Sequence, residues 1–270
     1  MCLLIAMFQV VPDAPLIVAA NRDERLDRPA VPMTVLRERE PRILGGRDDL
    51  AGGTWLAVNE HGVIAGLTNQ PSADGRDPTK RSRGELPLAF AAYRSAADAV
   101  AAVRGELDPA AYNPCWMLVG DRESLFSIGV SGVSGSPLEV EQLGPGLHVL
   151  ENAPLRSASA KAEFVRGLVA DALAARTADD SAATIAALEV VLGNHEPALP
   201  QPRTDANGRV WPASLSAACV HADGYGTRSA MIASVPAAAA GVPQVLVADG
   251  RPCEVPMQDM TGLWARAVRG

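Results

Sequence analysis

Short apolar runs that occur in neighbouring pairs constrain the fold of this 270-residue chain more than any other sequence feature. Each run ends at turn-forming or charged residues, and only three residues separate the members of each pair. Runs of this kind are typical of buried β-strands, and such short spacers favour hairpins. The three pairs span residues 3–11 with 15–20, 54–59 with 63–68, and 117–120 with 124–130.

The rest of the chain predicts further strands and a few helices. Residues 147–150, 216–221, 228–235 and 244–247 read as strands, and 87–103, 158–175 and 182–192 have helical periodicity. Hairpins therefore alternate with helices in groups, unlike the regular strand–helix alternation of a parallel sheet. The pattern predicts an α+β fold of stacked antiparallel sheets with helices outside, in a single domain over residues 1–270.

Composition excludes some classes of protein and places the chain in a compartment. A net charge of −7 argues against a nucleic-acid partner, which needs a basic surface. The four cysteines are few and widely spaced, which predicts reduced thiols rather than a disulfide scaffold. The apolar start is too short to span a bilayer and lacks a signal-peptide pattern. We expect a cytoplasmic protein without a membrane span.

Familiar catalytic and metal-binding motifs are missing from the sequence. There is no G-x-S-x-G, H-E-x-x-H, Walker loop or Rossmann glycine fingerprint. Cys219 and His221, two positions apart, would share one face of a strand and could touch one metal ion. A core cysteine beside a peripheral histidine is the commoner arrangement for such an isolated pair, so we expect no metal site.

Cys2 is the first candidate for chemistry. Its small side chain permits removal of Met1, which would leave a thiol and a free α-amine on one residue. An α-amine, with a pKa of about 8, can serve as the base for its own nucleophile. The competing interpretation is an ordinary buried thiol that precedes a strand.

A cluster of charge follows the second predicted strand, in the segment Ala20-Asn-Arg-Asp-Glu-Arg-Leu-Asp-Arg-Pro29. A hairpin would return this segment to the start of the chain. Arg22 could then lower the pKa of the Cys2 thiol, and Asp23 or Glu24 could hold the α-amine. The alternative is a solvated strand end with weak surface ion pairs.

These residues resemble the Asn-Arg-Asp-Glu family, also called the transport and Golgi organisation protein 2 family. The resemblance continues to about Ser229, in order and in spacing. The segments that carry it are Met1-Cys2, Ala20-Asn-Arg-Asp-Glu24, Arg28-Pro29, Gly52-Gly-Thr-Trp-Leu56, Leu67-Thr-Asn69, Arg83-Gly-Glu-Leu86, Asn152-Ala153 and Gly224-Tyr-Gly-Thr-Arg-Ser229.

The resemblance implies a four-layer αββα sandwich of the N-terminal-nucleophile hydrolase type. It also implies a site with a cysteine at the start, an Arg/Asp pair after the second strand, two asparagines and a late arginine. A gapless match would place Asn21 and Glu24 at the pair. The implied catalytic residues are Cys2, Arg22, Asp23, Glu24, Asn69, Asn152 and Arg228, and the implied substrate contacts are Asn21, Trp55 and Tyr225.

Each of these positions also has a purely structural interpretation. Asn69 and Asn152 could be turn residues, Arg228 could form a surface ion pair, and Trp55 could belong to the core.

Two functions follow from the resemblance, together with a weaker third. The first is hydrolysis of a C–N amide in a small molecule, with Cys2 as nucleophile and Asn69 and Asn152 binding the oxyanion. The second is a non-catalytic carrier of haem or of an acyl lipid, with haem as cargo and no required cofactor. The third is a structural or secretory-pathway role. Fold alone does not choose among them.

Overall fold

The computed structural model describes residues 2–71, 75–204, 208 and 210–266. Within these ranges the strands are β1 (Leu3–Phe8), β2 (Leu16–Arg25), β3 (Ala30–Arg37), β4 (Ile43–Asp48), β5 (Leu56–Asn59), β6 (Ile64–Asn69), β7 (Cys115–Gly120), β8 (Leu125–Val130), β9 (Glu139–Leu143), β10 (Gly146–Leu150), β11 (Arg203–Thr204), β12 (Val210–Trp211), β13 (His221–Ala222), β14 (Tyr225–Val235), β15 (Gln244–Ala248) and β16 (Gln258–Asp259). The α-helices are α1 (Glu85–Phe90), α2 (Ala96–Glu106), α3 (Ala160–Ala174) and α4 (Ser181–Gly193).

The first sheet, called sheet 1, is built from distant parts of the chain. Its strand order is β10-β1-β2-β14-β15-β16, with β13 paired to one end of β14, and the pairs are antiparallel. The predicted β1–β2 hairpin is present, and Leu3 lies opposite Asn21. β2 therefore lies between the start of the chain and a strand near its end.

The second sheet, called sheet 2, is an antiparallel meander. Its strand order is β3-β4-β5-β6-β7-β8-β9, so neighbours in space are neighbours in sequence. It contains the other two predicted hairpins, β5–β6 and β7–β8.

Three apolar clusters define the layers. Leu4 and Val18 of sheet 1 pack with Leu56 and Leu118 of sheet 2 in the central cluster. Alternate residues of sheet 1 face α3 and α4, whereas alternate residues of sheet 2 face α1 and α2. Since successive strand residues point to opposite faces, both sheets are covered on both sides. This arrangement confirms the predicted α+β sandwich with an αββα order of layers.

The predicted helix over residues 87–103 is wrong, because two helices occupy this region. Asn59 donates its side-chain amide to the carbonyls of Ala91 and Tyr93, at 2.9 and 2.6 Å, and so holds the chain between them. A new helix, α2, then begins with Ser95 as its N-cap.

The predicted strand over residues 216–221 is also wrong. Residues Ala213–Ser216 form a 3₁₀ turn. Of the predicted strand, only its last residue, His221, lies in a strand, namely β13 (His221–Ala222), which pairs with β14. A tight hairpin between His221 and Gly226 accounts for the short pairing, since Gly224 adopts a φ of 64°.

Strands β3 and β9 were not predicted, because their intermediate or exposed residues interrupt the apolar pattern. Strand β4 is largely buried, but its apolar run is only two residues long before Gly45 and Gly46. The two-residue strands β11, β12 and β16 were not predicted either.

No helix in the described ranges has the length and the apolar character that crossing a bilayer requires.

Candidate functional site

A cavity of about 280 Å³ opens at the end of the sandwich where Cys2 lies. Its walls come from the ends of β2, β4 and β14 and from the loop that precedes α1. Seven of the residues expected at the site line it: Cys2, Arg22, Asp23, Glu24, Trp55, Asn69 and Arg228. The fold therefore gathers most of the predicted site residues from five separate segments.

The β1–β2 hairpin explains why Cys2 lies beside Arg22. Leu3 pairs with Asn21, so the next position of each strand places Cys2 next to Arg22. The two residues point to the same side of sheet 1, and both are largely buried, with exposed fractions of 8% and 7%. A thiol and a guanidinium are thus held together by strand register.

The ionisation of Cys2 is governed by two opposing effects. Burial raises the pKa of the thiol, and the carboxylate of Asp23 raises it too. The Asp23 backbone N–H and the Arg22 guanidinium lower the pKa, but burial is the largest effect and the pKa is raised overall. Arg22 therefore acts in the expected direction without producing an activated thiolate by itself.

Asp23 is the most tightly enclosed acid of the site. Thr227 donates its hydroxyl to Asp23 Oδ1 at 2.6 Å, and Lys161 Nζ of α3 lies 3.7 Å from Oδ2. Burial raises the pKa of Asp23, while Lys161 opposes this effect. Lys161 was missed in the sequence because it lies on a helix far from any motif.

Glu24 belongs to an ionic network at the mouth of the cavity. Its carboxylate lies 3.9 Å from Arg22 Nη2 and 3.7 Å from Arg28 Nε. Arg28 also reaches Asp48 at 2.7 Å, which connects β2 to β4. The first half of the charged segment, through Glu24, is therefore not a solvated strand end, since it continues β2 into the cavity wall. Arg25 and Asp27 are exposed and form a surface ion pair, as the alternative interpretation expected.

A β-bulge places Arg228 at the cavity. Thr227 pairs with Asp23 and Ser229 pairs with Arg22, so Arg228 is the extra residue of β14. Its guanidinium donates to backbone carbonyls of the turn after β2, including those of Arg25 and Arg28 at 3.1 and 3.0 Å. Arg228 thus fixes this turn in addition to lining the cavity.

The two predicted asparagines lie side by side, but only Asn69 lines the Cys2 cavity. Asn152 donates its side-chain amide to the Asn69 carbonyl and lines a second cavity of about 340 Å³. Lys161 lines this second cavity as well, so the two spaces meet across the Asp23–Lys161 pair. The expectation that Asn152 faces the same space as Cys2 does not match its position.

Two of the three expected substrate contacts also lie away from the cavity. Asn21 points to the opposite face of β2 from Arg22 and donates to the carbonyls of Leu192 and Ala218, both at 2.9 Å. Tyr225 donates its hydroxyl to the Asp23 carbonyl at 3.0 Å. Both side chains therefore bind backbone carbonyls next to β2 rather than the cavity. Of the three expected contacts, Trp55 alone lines the cavity.

The surplus of arginine around the cavity was not predicted from the sequence. Among the described residues that line it, seven are arginines and four are acids, although the whole chain carries a net charge of −7. The arginines are Arg22, Arg28, Arg47, Arg76, Arg81, Arg83 and Arg228. Four basic residues between Arg76 and Arg83 are the signal in the sequence that could have indicated this surplus. A basic cavity in an acidic chain favours an anionic ligand.

Glycines bring this basic loop against the cavity. Gly53 has a φ of 76°, and a Cβ at this position would overlap the backbone of Gly84. The Thr54 N–H donates to the Gly84 carbonyl at 2.9 Å. The close contact explains the glycines of the Gly52-Gly-Thr-Trp and Arg83-Gly segments, and it places Arg83 near Cys2.

The solved structures that this chain resembles share its fold. The C2A mutant of conjugated bile acid hydrolase from Clostridium perfringens superposes with a TM-score of 0.54 at 10% identity, covering 97% of this chain and 93% of that one. A second variant of the same hydrolase gives a TM-score of 0.51, with the same coverage and identity.

Sequence comparison identifies relatives at closer range. The chain is 32% identical over 234 residues to the Transport and Golgi organization protein 2 homolog of Homo sapiens, covering 82% of both chains. The Mus musculus homolog matches with the same identity and coverage. The family model described as Transport and Golgi organisation 2 matches residues 1–240. The chain therefore belongs to the Transport and Golgi organisation 2 family, and its fold is like that of the N-terminal-nucleophile hydrolases.

Proposed function

We propose that the protein hydrolyses a C–N amide bond in a small molecule that carries an anionic group. The observation that carries the proposal is the position of Cys2, whose thiol borders a cavity lined by seven arginines. The volume of about 280 Å³ lies near the lower end of small-molecule pockets, roughly 300–1,000 Å³. Arginine is well suited to bind a carboxylate or phosphate through two parallel hydrogen bonds.

The proposed chemistry begins after removal of Met1. The α-amine of Cys2 accepts the thiol proton as sulfur attacks the amide carbonyl, and the proton then passes to the leaving amine. The resulting thioester is cleaved by water, which releases the carboxylate and returns the proton to sulfur. Arg22 favours the thiolate, and Asn69 at the cavity wall can donate to the oxyanion.

The structural neighbour from Clostridium perfringens supports this choice of chemistry. That protein is a hydrolase of a conjugated bile acid, and a cysteine at its position 2 is replaced by alanine in the solved mutant. A cysteine at the second position is also present here, at the end of a similar fold.

The direct test is covalent labelling of the native chain by a thiol-directed acyl probe, followed by intact mass. We expect a chain that lacks Met1 and gains one acyl group on Cys2, and we expect Cys2→Ala to gain none. Cys115→Ala is the matched control, because Cys115 is another buried thiol and should not affect labelling. Retention of Met1, or equal labelling of Cys2→Ala, would contradict the proposal.

A second candidate function is a carrier of haem or of an acyl-coenzyme A, as the resemblance implied. The observation that favours it is the raised pKa of Cys2, since a protonated thiol is a poor nucleophile. The arginines would then bind propionates or phosphates. Titration with haem and with an acyl-coenzyme A tests this function, and saturable binding that persists in Cys2→Ala and is lost in Arg83→Ala would favour the carrier.

We also propose a cytoplasmic location. The support is that Cys2, Cys115, Cys219 and Cys253 are all free thiols.

A further inference from the structure

Two thiols and two imidazoles meet on the outer side of sheet 1, apart from the cavity that Cys2 lines. Cys219 Sγ lies 3.6 Å from Cys253 Sγ and 3.7 Å from His221 Nε2. His221 Nε2 lies 3.2 Å from Cys253 Sγ. Ligand atoms of His195, His221 and Cys253 all lie within 4.8 Å of one another. We call these four residues the thiol–imidazole cluster.

The cluster is assembled from three separate segments of the chain. His195 follows the end of α4, Cys219 and His221 belong to the short hairpin before β14, and Cys253 lies in the loop after β15. The Cys219 N–H donates to the Asn194 carbonyl at 2.8 Å, which joins the first two segments directly beside the cluster. The backbone therefore holds the segment of His195 against the segment of Cys219 and His221.

We propose that the thiol–imidazole cluster binds one zinc ion through Cys219, His221, Cys253 and His195. Two sulfur and two nitrogen donors form a set that zinc adopts in structural sites. Zinc bonds of about 2.3 Å to sulfur and about 2.0 Å to nitrogen give a tetrahedron with edges of about 3.8 Å between sulfurs and about 3.6 Å between sulfur and nitrogen. The measured separations of 3.6, 3.7 and 3.2 Å are close to these edges.

The surroundings of His221 support metal binding. While Nε2 faces the two sulfurs, Nδ1 faces the Glu254 carboxylate at 4.0 Å. Arg251 donates to both oxygens of that carboxylate, at 3.2 and 3.3 Å. A carboxylate behind the ligating imidazole fixes the ring orientation and the tautomer, as in many zinc sites. At 4.0 Å Glu254 does not hydrogen-bond the ring in this structure, so its role as a positioning residue for His221 applies to the zinc-bound site.

Zinc binding to the cluster releases protons and leaves no net charge at the site. Zn²⁺ displaces one proton from each of the two thiols and binds both imidazoles in their neutral form, so two protons pass to solvent. The loaded site is electrically neutral. Cys219 is fully buried, whereas Cys253 and His195 are exposed, so an ion can enter from the surface.

Four protein donors leave no open position, so the ion is structural rather than catalytic. It would tie the hairpin before β14 to α4 and to the loop after β15. That hairpin leads into Thr227, which donates to Asp23 at the Cys2 cavity. Cys253 lies beyond residues 1–240 that match the family model, so the site is inferred for this chain and not for the family.

The test measures metal in the full chain, purified with reductant and without a polyhistidine tag. After exposure to ZnCl₂ and removal of excess metal, we expect close to one zinc per chain by elemental analysis. Cys219→Ser and Cys253→Ser should hold almost none, whereas Cys115→Ala should hold as much as the wild type. With Co²⁺ in place of zinc, we expect thiolate charge-transfer absorption and the visible bands of a tetrahedral site.

Glu254→Gln tests the inference without disturbing a ligand or a buried residue. The Zn²⁺ affinity, measured by competition with a chelating dye, should fall about 10-fold or more, as for other partners of metal-ligating histidines. The circular dichroism spectrum of each variant without metal should match that of the wild type.

Three results would overturn the inference. They are a wild type without bound zinc under reducing conditions, equal zinc content in the cysteine variants, and a mass lower by two hydrogens that reveals a Cys219–Cys253 disulfide in the reduced protein.

Discussion

Both faces of β2 carry polar residues at its end, but the two faces perform different tasks. On the face toward the helices, Asn21 and Asp23 contact α4 and α3 through fixed hydrogen bonds and one buried ion pair. On the face toward sheet 2, Arg22 and Glu24 lie beside Cys2 in a network that reaches the cavity. Strand alternation thus divides one continuous motif between anchoring and chemistry.

A polar residue in a motif is therefore not by itself a catalytic residue. Asn21 is fully buried and donates to a carbonyl at the end of α4, where helix carbonyls lack partners. We therefore expect Asn21 and Lys161 to affect stability, and Arg22 to affect the reactivity of Cys2. Asp23 takes part in both, since it pairs with Lys161 and also borders the cavity and raises the pKa of the thiol.

The largest effect is expected from Lys161→Met, on the helix side. Lys161 and Asp23 are both buried, with exposed side-chain fractions of 5% and 0%. Removing one partner of a buried pair costs about 3–5 kcal/mol, so the free energy of unfolding at pH 7 should fall by that amount. Arg166→Met, on the exposed side of α3, is the matched control and should change it little.

The pH dependence sharpens this prediction. Burial raises the pKa of Asp23 in the folded chain, so its contribution to stability is fully present below its unfolded pKa and is lost as pH rises through the folded pKa. Loss of Lys161 raises the pKa further, so the destabilisation should shrink between pH 7 and pH 5. Urea unfolding at the two pH values measures this, and an equal loss at both would contradict the role of Lys161.

A smaller loss of stability is expected from Asn21→Ala. The substitution leaves the carbonyls of Leu192 and Ala218 without their donor, which should cost about 2 kcal/mol in the free energy of unfolding. The alkylation rate of Cys2 in the folded protein should not change. A variant with normal stability and slow alkylation would reverse the assignment of the two faces. Asn69→Ala, at an exposed strand end, is the control for stability.

On the cavity side, Arg22→Ala should slow alkylation of Cys2. Arg22 lowers the pKa of the thiol, so its removal raises that pKa and reduces the thiolate fraction at any pH below it. We expect alkylation near pH 8 to slow by less than about tenfold, since Arg22 is the weakest of the influences on this pKa and a full pKa unit is a tenfold change in thiolate. Arg22→Lys keeps the charge and should restore part of the rate. Identical pH profiles for all three proteins would contradict an influence of Arg22.

The smallest effect is expected from Glu24→Gln. Its ion pairs with Arg22 and Arg28 are 3.9 and 3.7 Å long and partly exposed. Loss of such a pair should lower the free energy of unfolding by about 0.5 kcal/mol or less. Thermal unfolding at low and high salt measures it, and a loss comparable to that of Lys161→Met would remove the distinction between the two faces.

Local sequence patterns predicted the elements that depend on near neighbours. The β1–β2, β5–β6 and β7–β8 hairpins are visible because apolar runs and turn residues lie next to each other. The first of these hairpins also predicted that Cys2 lies near Arg22, and the resemblance added the αββα order of the four layers. The sequence predicted that this strand ends at Ala20, whereas β2 continues to Arg25. The polar end stays in the sheet because it pairs with β14, which is far away in the sequence.

The remaining features depend on residues far apart in the chain. Thr227 reaches Asp23 across 204 positions, and Asn59 interrupts the helical region from 32 positions away. The arginines of the loop before α1 become cavity residues only through the contact of Gly53 with Gly84. No periodicity or spacing rule reports such contacts, because each depends on the packed arrangement of the sheets.

The different strand orders of the two sheets bear on how the molecule is made. Strands of sheet 2 follow one another along the chain, so its pairs can form between neighbours as soon as they emerge from the ribosome. In sheet 1, β2 pairs with β1 on one side and with the distant β14 on the other. Its pairing with β14 can form only once the last quarter of the polypeptide is being synthesised. Until then Asp23 has no Thr227, so a nascent chain would carry the Cys2 thiol without a finished site around it.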